Sequence, residues 1–259
     1  MAPETKGPAG RARQGSLLIL GATSVIARAT AEAFAEAGYD LVLAGRSVDE
    51  LRRVAADLRI RSETDVCTEA FDALDTAAHA GVVRRAIDDS RDGLTGAVVA
   101  FGALGDAERA ARDFEHAEEV IRVNYIGAVS ALTVLADYFE KKRAGFIVAI
   151  SSVAGDRGRR SNYVYGSSKG ALSLYLQGLR SRLHASGVQV LTVKPGFIDS
   201  RMTFGSVPPR LAADPNKVGA AILKAVGSKK SVVYVPGYWS LIMRAIKLIP
   251  ERLFKRLDL

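Results

Sequence analysis

The feature that most constrains this chain is a short apolar run, Ser16 to Leu20, that enters the turn GATSVIARA without a break. A helical pattern follows from about Val25 to Ala37, and Gly38 closes it. On it Val25, Ala29, Ala33 and Phe34 supply apolar positions, while Arg28, Glu32 and Glu36 share another face. Strand, glycine turn and helix make the opening of a nucleotide-binding unit, in which backbone N–H groups at the helix N-terminus meet a pyrophosphate. The glycine signature is degraded, because Val25 and Ala27 stand where further glycines are usual and only Gly21 remains. A purely structural loop would read the same at this turn alone.

The same alternation continues along the chain. Leu41 to Gly45 is wholly apolar, as a strand covered on both faces must be. Further strands are expected at Val66 to Phe71, Leu94 to Phe101, Phe146 to Ile150, Val188 to Val193 and Ser231 to Val235. Between them fall helices at Asp49 to Leu58, Thr76 to Ser90, Glu118 to Phe139 (one long helix), Tyr165 to His184 and Asn216 to Val226. Residues 105 to 117 are charged and read as surface. Residues 205 to 215, rich in Pro and Gly, read as a lid over a site. A chain of 259 residues with 48% hydrophobic content fits one α/β domain. Residues 1 to 15 read as a disordered tail without the apolar middle of a signal peptide. No stretch reaches the eighteen or so apolar residues of a membrane-spanning helix.

Charge narrows the partners. The net charge is +8 and the pI about 9.7, which favours phosphorylated ligands, a membrane surface or nucleic acid. Aromatics do not interleave with basic residues in the manner of RNA readers, so no nucleic acid is expected. The single cysteine, Cys67, permits no internal disulfide, and His79, His116 and His184 have no metal-site spacing. After the second strand come Arg46 and Ser47, where a site for an unphosphorylated ribose would want an acid. Arg46 opens the next helix, where the dipole disfavours a cation, and the 2′-phosphate of NADP would offset that. Asp72, closing the third strand, is placed to touch an adenine edge. Gly102, closing the fourth, lets the backbone approach a ligand.

The chemistry gathers in ISSVAGDRGRRSNYVYGSSK, residues 150 to 169. Tyr165 and Lys169 are spaced i, i+4 on one helix face, and an ammonium beside a phenol favours its ionisation. Such a phenol hands a proton to a carbonyl oxygen as hydride reaches the carbon, and Ser152 is placed to hold the same oxygen. Arg157, Arg159 and Arg160 lie between these groups and suit a substrate phosphate. Solvated loop charge is the competing reading for them. Asn124 sits within the long helix, where it either caps a kink or holds a water beside Lys169. Pro195 and Gly196 then break the sixth strand and free backbone groups to face a ligand. The last stretch, Tyr238 to Leu259, carries Trp239, Ile242, Ile246 and Ile249 at helical spacing, with Arg244 and Lys247 opposite. Arg252, Lys255 and Arg256 follow Pro250. This pattern suits a helix in a membrane interface, or one packed on its own domain or on a dimer partner.

Together, Gly21, Arg46, Asn124, Ser152, Tyr165-x-x-x-Lys169 and Pro195–Gly196 resemble the short-chain dehydrogenase/reductase family over about residues 16 to 237. The resemblance implies a single doubly wound Rossmann domain with a central seven-stranded parallel sheet, followed by a basic helix over 238 to 259. It implies an enzyme that transfers hydride between NADPH and a ketone, with Tyr165 as acid/base and Ser152 orienting the substrate oxygen. Lys169 would hold the nicotinamide ribose, Asn124 would support a relay water, and Gly21, Thr23, Ser24 and Ile26 would line the pyrophosphate turn. Ile198 would face the nicotinamide amide. The usual NNAG after the fourth strand is AFGA here, from Ala100. A closer similarity, carried by PGFIDSRM and the ending IPERLFKRL, is to reductases of polyprenyl-phosphate keto-pentoses. It implies a lipid-linked substrate, a flavin-dependent oxidase as partner, a role in cell-wall building, and a homo-oligomer that is cytoplasmic or peripheral at the inner face of the cell membrane. The alternative is a general reductase of small ketones or 3-oxoacyl thioesters.

Overall fold

The computed structural model describes residues 13–199 and 212–257. In it every residue of strand β1 (Gly15–Leu20) after Gly15 is buried. Side chains alternate across a strand, so Leu17 and Ile19 enter one core while Leu18 and Leu20 enter another. Two cores on one strand require cover on both faces, and helices supply it. On the Leu17 face lie α1 (Val25–Glu36), α2 (Val48–Ser62) and α8 (Pro215–Gly227), which bury Phe34, Leu51, Leu58 and Ile222. On the Leu18 face lie α3 (His79–Asp88), α6 (Ala128–Lys142) and α7 (Tyr163–Leu183), which bury Val82, Leu132, Leu135, Leu172 and Leu176. Each such leucine contributes about 1.5–3 kcal/mol when removed from water.

The remaining strands are β2 (Tyr39–Gly45), β3 (Val66–Ala70), β4 (Leu94–Val99), β5 (Phe146–Ile150), β6 (Gln189–Pro195) and β7 (Val232–Val235). They form one sheet in the order β3-β2-β1-β4-β5-β6-β7, and every pairing is parallel. This is the doubly wound seven-stranded sheet that the sequence reading expected. The chain moves outward from β1 to β3, then returns to β4 on the other side of β1. The loops after β1 and β4 therefore part at the carboxyl edge of the sheet, and a crevice opens between them.

Several elements differ from expectation. The long helix starts earlier, as α5 (Phe114–Ile121), and passes through a π-turn at Arg122–Gly127 before α6. By length and composition the continuous run Phe114–Lys142 could cross a membrane, contrary to the reading that no stretch could. Its apolar residues Ala131, Leu132, Leu135 and Phe139 are instead spent in the core. Arg46 does not open a helix: Ser47 takes the N-cap position of α2, and Asp49 and Glu50 fill its first turn with charges that suit the dipole. The charged stretch before α5 holds a short helix, α4 (Ala107–Ala110). Most of the expected lid over 205 to 215, and residues 1 to 12 of the expected tail, lie outside the described residues. The chain ends in α9 (Trp239–Leu248) and α10 (Glu251–Phe254).

Candidate active site

The crevice at the switch point is a cavity of about 560 Å³. Its floor at one end is the glycine turn. Gly21 has φ +82°, and a Cβ there would lie 2.7 Å from the backbone nitrogen of Phe101, so only glycine lets the loops after β1 and β4 touch. Ser24 caps α1: its hydroxyl accepts from the Ala27 N–H at 3.2 Å and donates to the Ala100 carbonyl at 3.3 Å. That bond ties the turn to β4. Thr23, Ser24, Val25 and Ile26 all line the cavity at the positive end of α1.

The opposite end brings together Ile150, Ser151, Ser152, Tyr165, Lys169, Pro195, Gly196 and Ile198. Ser152 follows β5. Its hydroxyl accepts from the Ala154 N–H at 3.1 Å, which leaves its proton free to bond the Tyr165 hydroxyl. Lys169 is buried, and its Nζ donates to the Ile150 carbonyl at 3.0 Å. Burial lowers its pKa to about 8. Burial raises the pKa of Tyr165, and the Ser152 hydrogen bond only partly offsets this. The expected easing of phenol ionisation by Lys169 is thus reversed in this cleft. Nζ lies 6.0 Å from the ring centroid, and desolvation is the largest influence on the phenol.

Asn124 lies in the π-turn, buried. Its Oδ1 accepts from the Ala103 N–H at 2.9 Å and its Nδ2 donates to the Ala103 carbonyl at 2.7 Å. These two bonds pin the loop after β4 and use one of the two lone pairs on Oδ1 and one of the two N–H groups on Nδ2. A Cβ on Gly102 would lie 2.9 Å from that Oδ1 and 3.1 Å from Lys169 Nζ, so Gly102 is where loop, amide and ammonium converge. The π-turn widens the helix at this point, a form that recurs at functional sites.

A second hollow, of about 410 Å³, lies past the ends of β2 and β3 and holds Arg46, Phe71, Asp72, His79 and Arg85. Asp72 spends its Oδ1 on the Leu74 N–H at 2.9 Å, as the competing turn reading had it. His79 stacks on Phe71 with centroids 4.8 Å apart and bonds the Asp72 carbonyl through Nε2 at 2.9 Å. The sequence reading missed this aromatic wall. It also missed Arg28 and Glu50, an ion pair at the edge of the first cavity. A signal existed for Arg28, since a cation in the first turn of a helix opposes the dipole unless an anion sits nearby.

The three loop arginines diverge. Arg157 turns away from any substrate: its Nη1 donates to the carbonyls of Ile246 at 3.0 Å, Lys247 at 3.1 Å and Ile249 at 2.7 Å. Its Nη2 meets Glu251 at 2.9 Å, and the guanidinium lies 4.0 Å over the Phe254 ring. It closes the C-terminus of α9, so its expected phosphate role is withdrawn. Arg159 is the opposite case. Burial lowers its pKa, its Nε is buried without a partner, and no acid pairs with it among the described residues. Arg160 is exposed.

Comparison with known proteins agrees with this geometry. The family model described as short chain dehydrogenase matches residues 16–209. An uncharacterised oxidoreductase of Mycobacterium tuberculosis is 41% identical over 244 residues, 93% of this chain and 96% of that protein. One from Streptomyces coelicolor is 36% identical over 93% of this chain and 95% of its own length. Among solved structures, a short-chain dehydrogenase from Sphingobium yanoikuyae in complex with NADPH superposes with a TM-score of 0.78. It is 26% identical over 91% of this chain and 96% of its own.

Proposed function

This chain belongs to the short chain dehydrogenase family, and on that footing we propose that it is an NADPH-dependent reductase of a phosphorylated ketone, with Tyr165 as proton donor. The family makes it an NAD(P)-dependent oxidoreductase. The single observation that carries the chemistry is the convergence of Ser152, Tyr165 and Lys169 on one wall of the 560 Å³ cavity, opposite the glycine turn.

The residues present fit a dinucleotide. The N-terminus of α1 meets the cavity with backbone donors and a Ser24 cap, and the Gly21 turn brings it there. The turn would hold the pyrophosphate through Thr23, Ser24 and Ile26. The hollow beside Phe71 and Asp72 would take the adenine, and Arg46 the 2′-phosphate. Ile198, with Pro195, would face the nicotinamide amide, and Lys169 the ribose. NADPH, when bound, supplies the hydride. Tyr165 does the remaining work: its raised pKa keeps the proton on the phenol at neutral pH, ready for the oxygen of a reduced carbonyl. Ser152 orients that oxygen. The neighbourhood of Asn124 and Lys169 is the route by which the phenol is reprotonated.

Arg159 favours a phosphorylated substrate. A half-buried guanidinium with no acid paired to it among the described residues is costly, and a bound phosphate would offset that cost through two parallel hydrogen bonds. The finer reading is the 2-keto group of a polyprenyl-phosphate pentose, as in decaprenylphosphoryl-2-keto-ribose reductase, with a flavin-dependent oxidase supplying the ketone at the membrane. A family of small-ketone reductases needs no such arginine. The test is NADPH oxidation with phosphorylated keto-sugars against their phosphate-free counterparts. Tyr165→Phe should lose about a hundredfold to ten-thousandfold in kcat while still binding NADPH. Arg159→Ala should raise KM only for the phosphorylated substrate. Equal KM for both substrates in the wild type would refute the phosphate reading and leave the reductase intact.

A further inference from the structure

The C-terminal segment is held in an unusual attitude. Trp239 and Met243 of α9 and Phe254 of α10 point inward and are buried. The Arg157 fork fixes the far end of α9 by three carbonyls, so the helix cannot roll its outer residues under. Those outer residues are apolar. Leu241 is 65% exposed, Leu248 83% and Leu253 56%, with Tyr238, Ile242 and Leu257 beside them. An isolated exposed leucine needs no explanation, but a contiguous row on one rigid segment does.

Charge says what covers it. Arg244, Lys247, Arg252, Lys255 and Arg256 are all exposed along this segment. Its one acid among the described residues, Glu251, is already paired with Arg157. A two-fold contact between copies would set this patch against itself, bringing five cations toward five cations. An anionic surface with an apolar layer beneath it satisfies both the leucines and the cations. The segment also adjoins the site. The Trp239 indole packs so closely on Gly196 that a Cβ there would lie 1.9 Å from Nε1, and Gly196 lines the cavity.

We propose that α9 and α10 form a docking surface for an anionic lipid bilayer, which seats the substrate end of the cavity against the membrane. The proposal deepens the lipid-linked reading above by naming where such a substrate is met, and its test does not require the reductase reading to hold. The full chain is sedimented with vesicles of phosphatidylcholine alone and of phosphatidylcholine with phosphatidylglycerol, at low and high salt. Binding is expected to the anionic vesicles only and to fall as salt screens the charges. The variant R252Q/K255Q/R256Q, which changes three exposed residues, should partition on the order of 100-fold more weakly. Leu241→Glu with Leu248→Glu should lose at least about tenfold. Equal binding to neutral vesicles, or none to either, overturns the proposal. So does a concentration-dependent dimer abolished by the leucine variant, which would show a second copy on this face. Reduction of a water-soluble ketone by NADPH is followed in parallel. Vesicle binding without reduction would fail the reductase reading and leave the docking surface standing.

Discussion

Replacing Arg157 by alanine separates a structural clasp from a substrate ligand. In the structure its Nη1 is shared among three carbonyls at the end of α9, and its plane covers Phe254. Three acceptors on one nitrogen amount to one or two good charged hydrogen bonds, worth about 1.5–3 kcal/mol. The desolvated cation–π contact adds about 1 kcal/mol. Glu251 is 78% exposed, so its ion pair adds little. The sum, about 3 kcal/mol, falls on residues 246–257 rather than on the sheet. It should raise local opening on the order of 100-fold. Hydrogen exchange by mass spectrometry reads this directly. The amides of Leu253 and Phe254, which bond the Pro250 carbonyl at 2.9 and 3.0 Å, should exchange far faster while β4 and β5 keep their protection. Arg157→Lys should recover only part of the effect, because a point charge cannot span the fork. Unchanged exchange in 246–257, together with a raised KM for a phosphorylated ketone, would refute the clasp and restore Arg157 to the substrate.

Arg46→Ala should weaken NADPH by about tenfold to a hundredfold and leave NADH unchanged, read by fluorescence titration of both nucleotides. Lys169 gives a pH signature. Its folded pKa, about 8, lies below the unfolded value of 10.5, so the desolvation cost is full below pH 8 and disappears above pH 10.5. Across that window the unfolded chain binds the extra proton, and stability rises with pH by about 3 kcal/mol. Urea unfolding from pH 7 to 10 should show the rise in the wild type and not in Lys169→Met. Gly102→Ala drives a Cβ to 2.9 Å from Asn124 Oδ1 and should cost about 1–3 kcal/mol in stability, with a lower kcat. Calorimetry and initial rates check it.

The fold was legible because its strands are buried on both faces. Leu41 to Gly45 has no polar interruption, and such a run in a chain of alternating helices has one home, the middle of a parallel sheet. The pairing of Tyr165 with Lys169 beside one cavity was legible because i, i+4 spacing puts two side chains on one face of a helix. What the sequence could not show is where a long flexible side chain goes. Arg157, Arg159 and Arg160 are near-neighbours in a basic loop, yet one caps a helix eighty-nine residues further on while another lies half-buried with its Nε unpartnered. The π-turn at Arg122–Gly127 was invisible too, since one added residue in a turn leaves the apolar pattern almost intact. The pKa of Tyr165 was misjudged for a related reason. Proximity to Lys169 is a matter of spacing, whereas desolvation depends on the walls that tertiary packing builds.

These observations meet in the loop that joins Ser152 to Tyr165. Its first half is braced from the sheet: buried Asp156 pairs with Lys194 at the end of β6 and accepts from the Tyr234 hydroxyl of β7 at 2.7 Å. Burial and the neighbouring carboxylate push the Tyr234 pKa up, so its proton stays in that bond at any working pH. Arg157, the next residue, grips α9. The segment that joins Ser152 to Tyr165 is thus the same one that fixes the exposed C-terminal face. A force that displaces α9 must either break the Arg157 fork or move the loop, and the Asp156 brace resists the second. Tyr234→Phe weakens that brace by removing one of its two bonds, at a residue that does not line the cavity. In such a variant, anything that seats or lifts α9 should change the turnover of Tyr165, and in the wild type it should not.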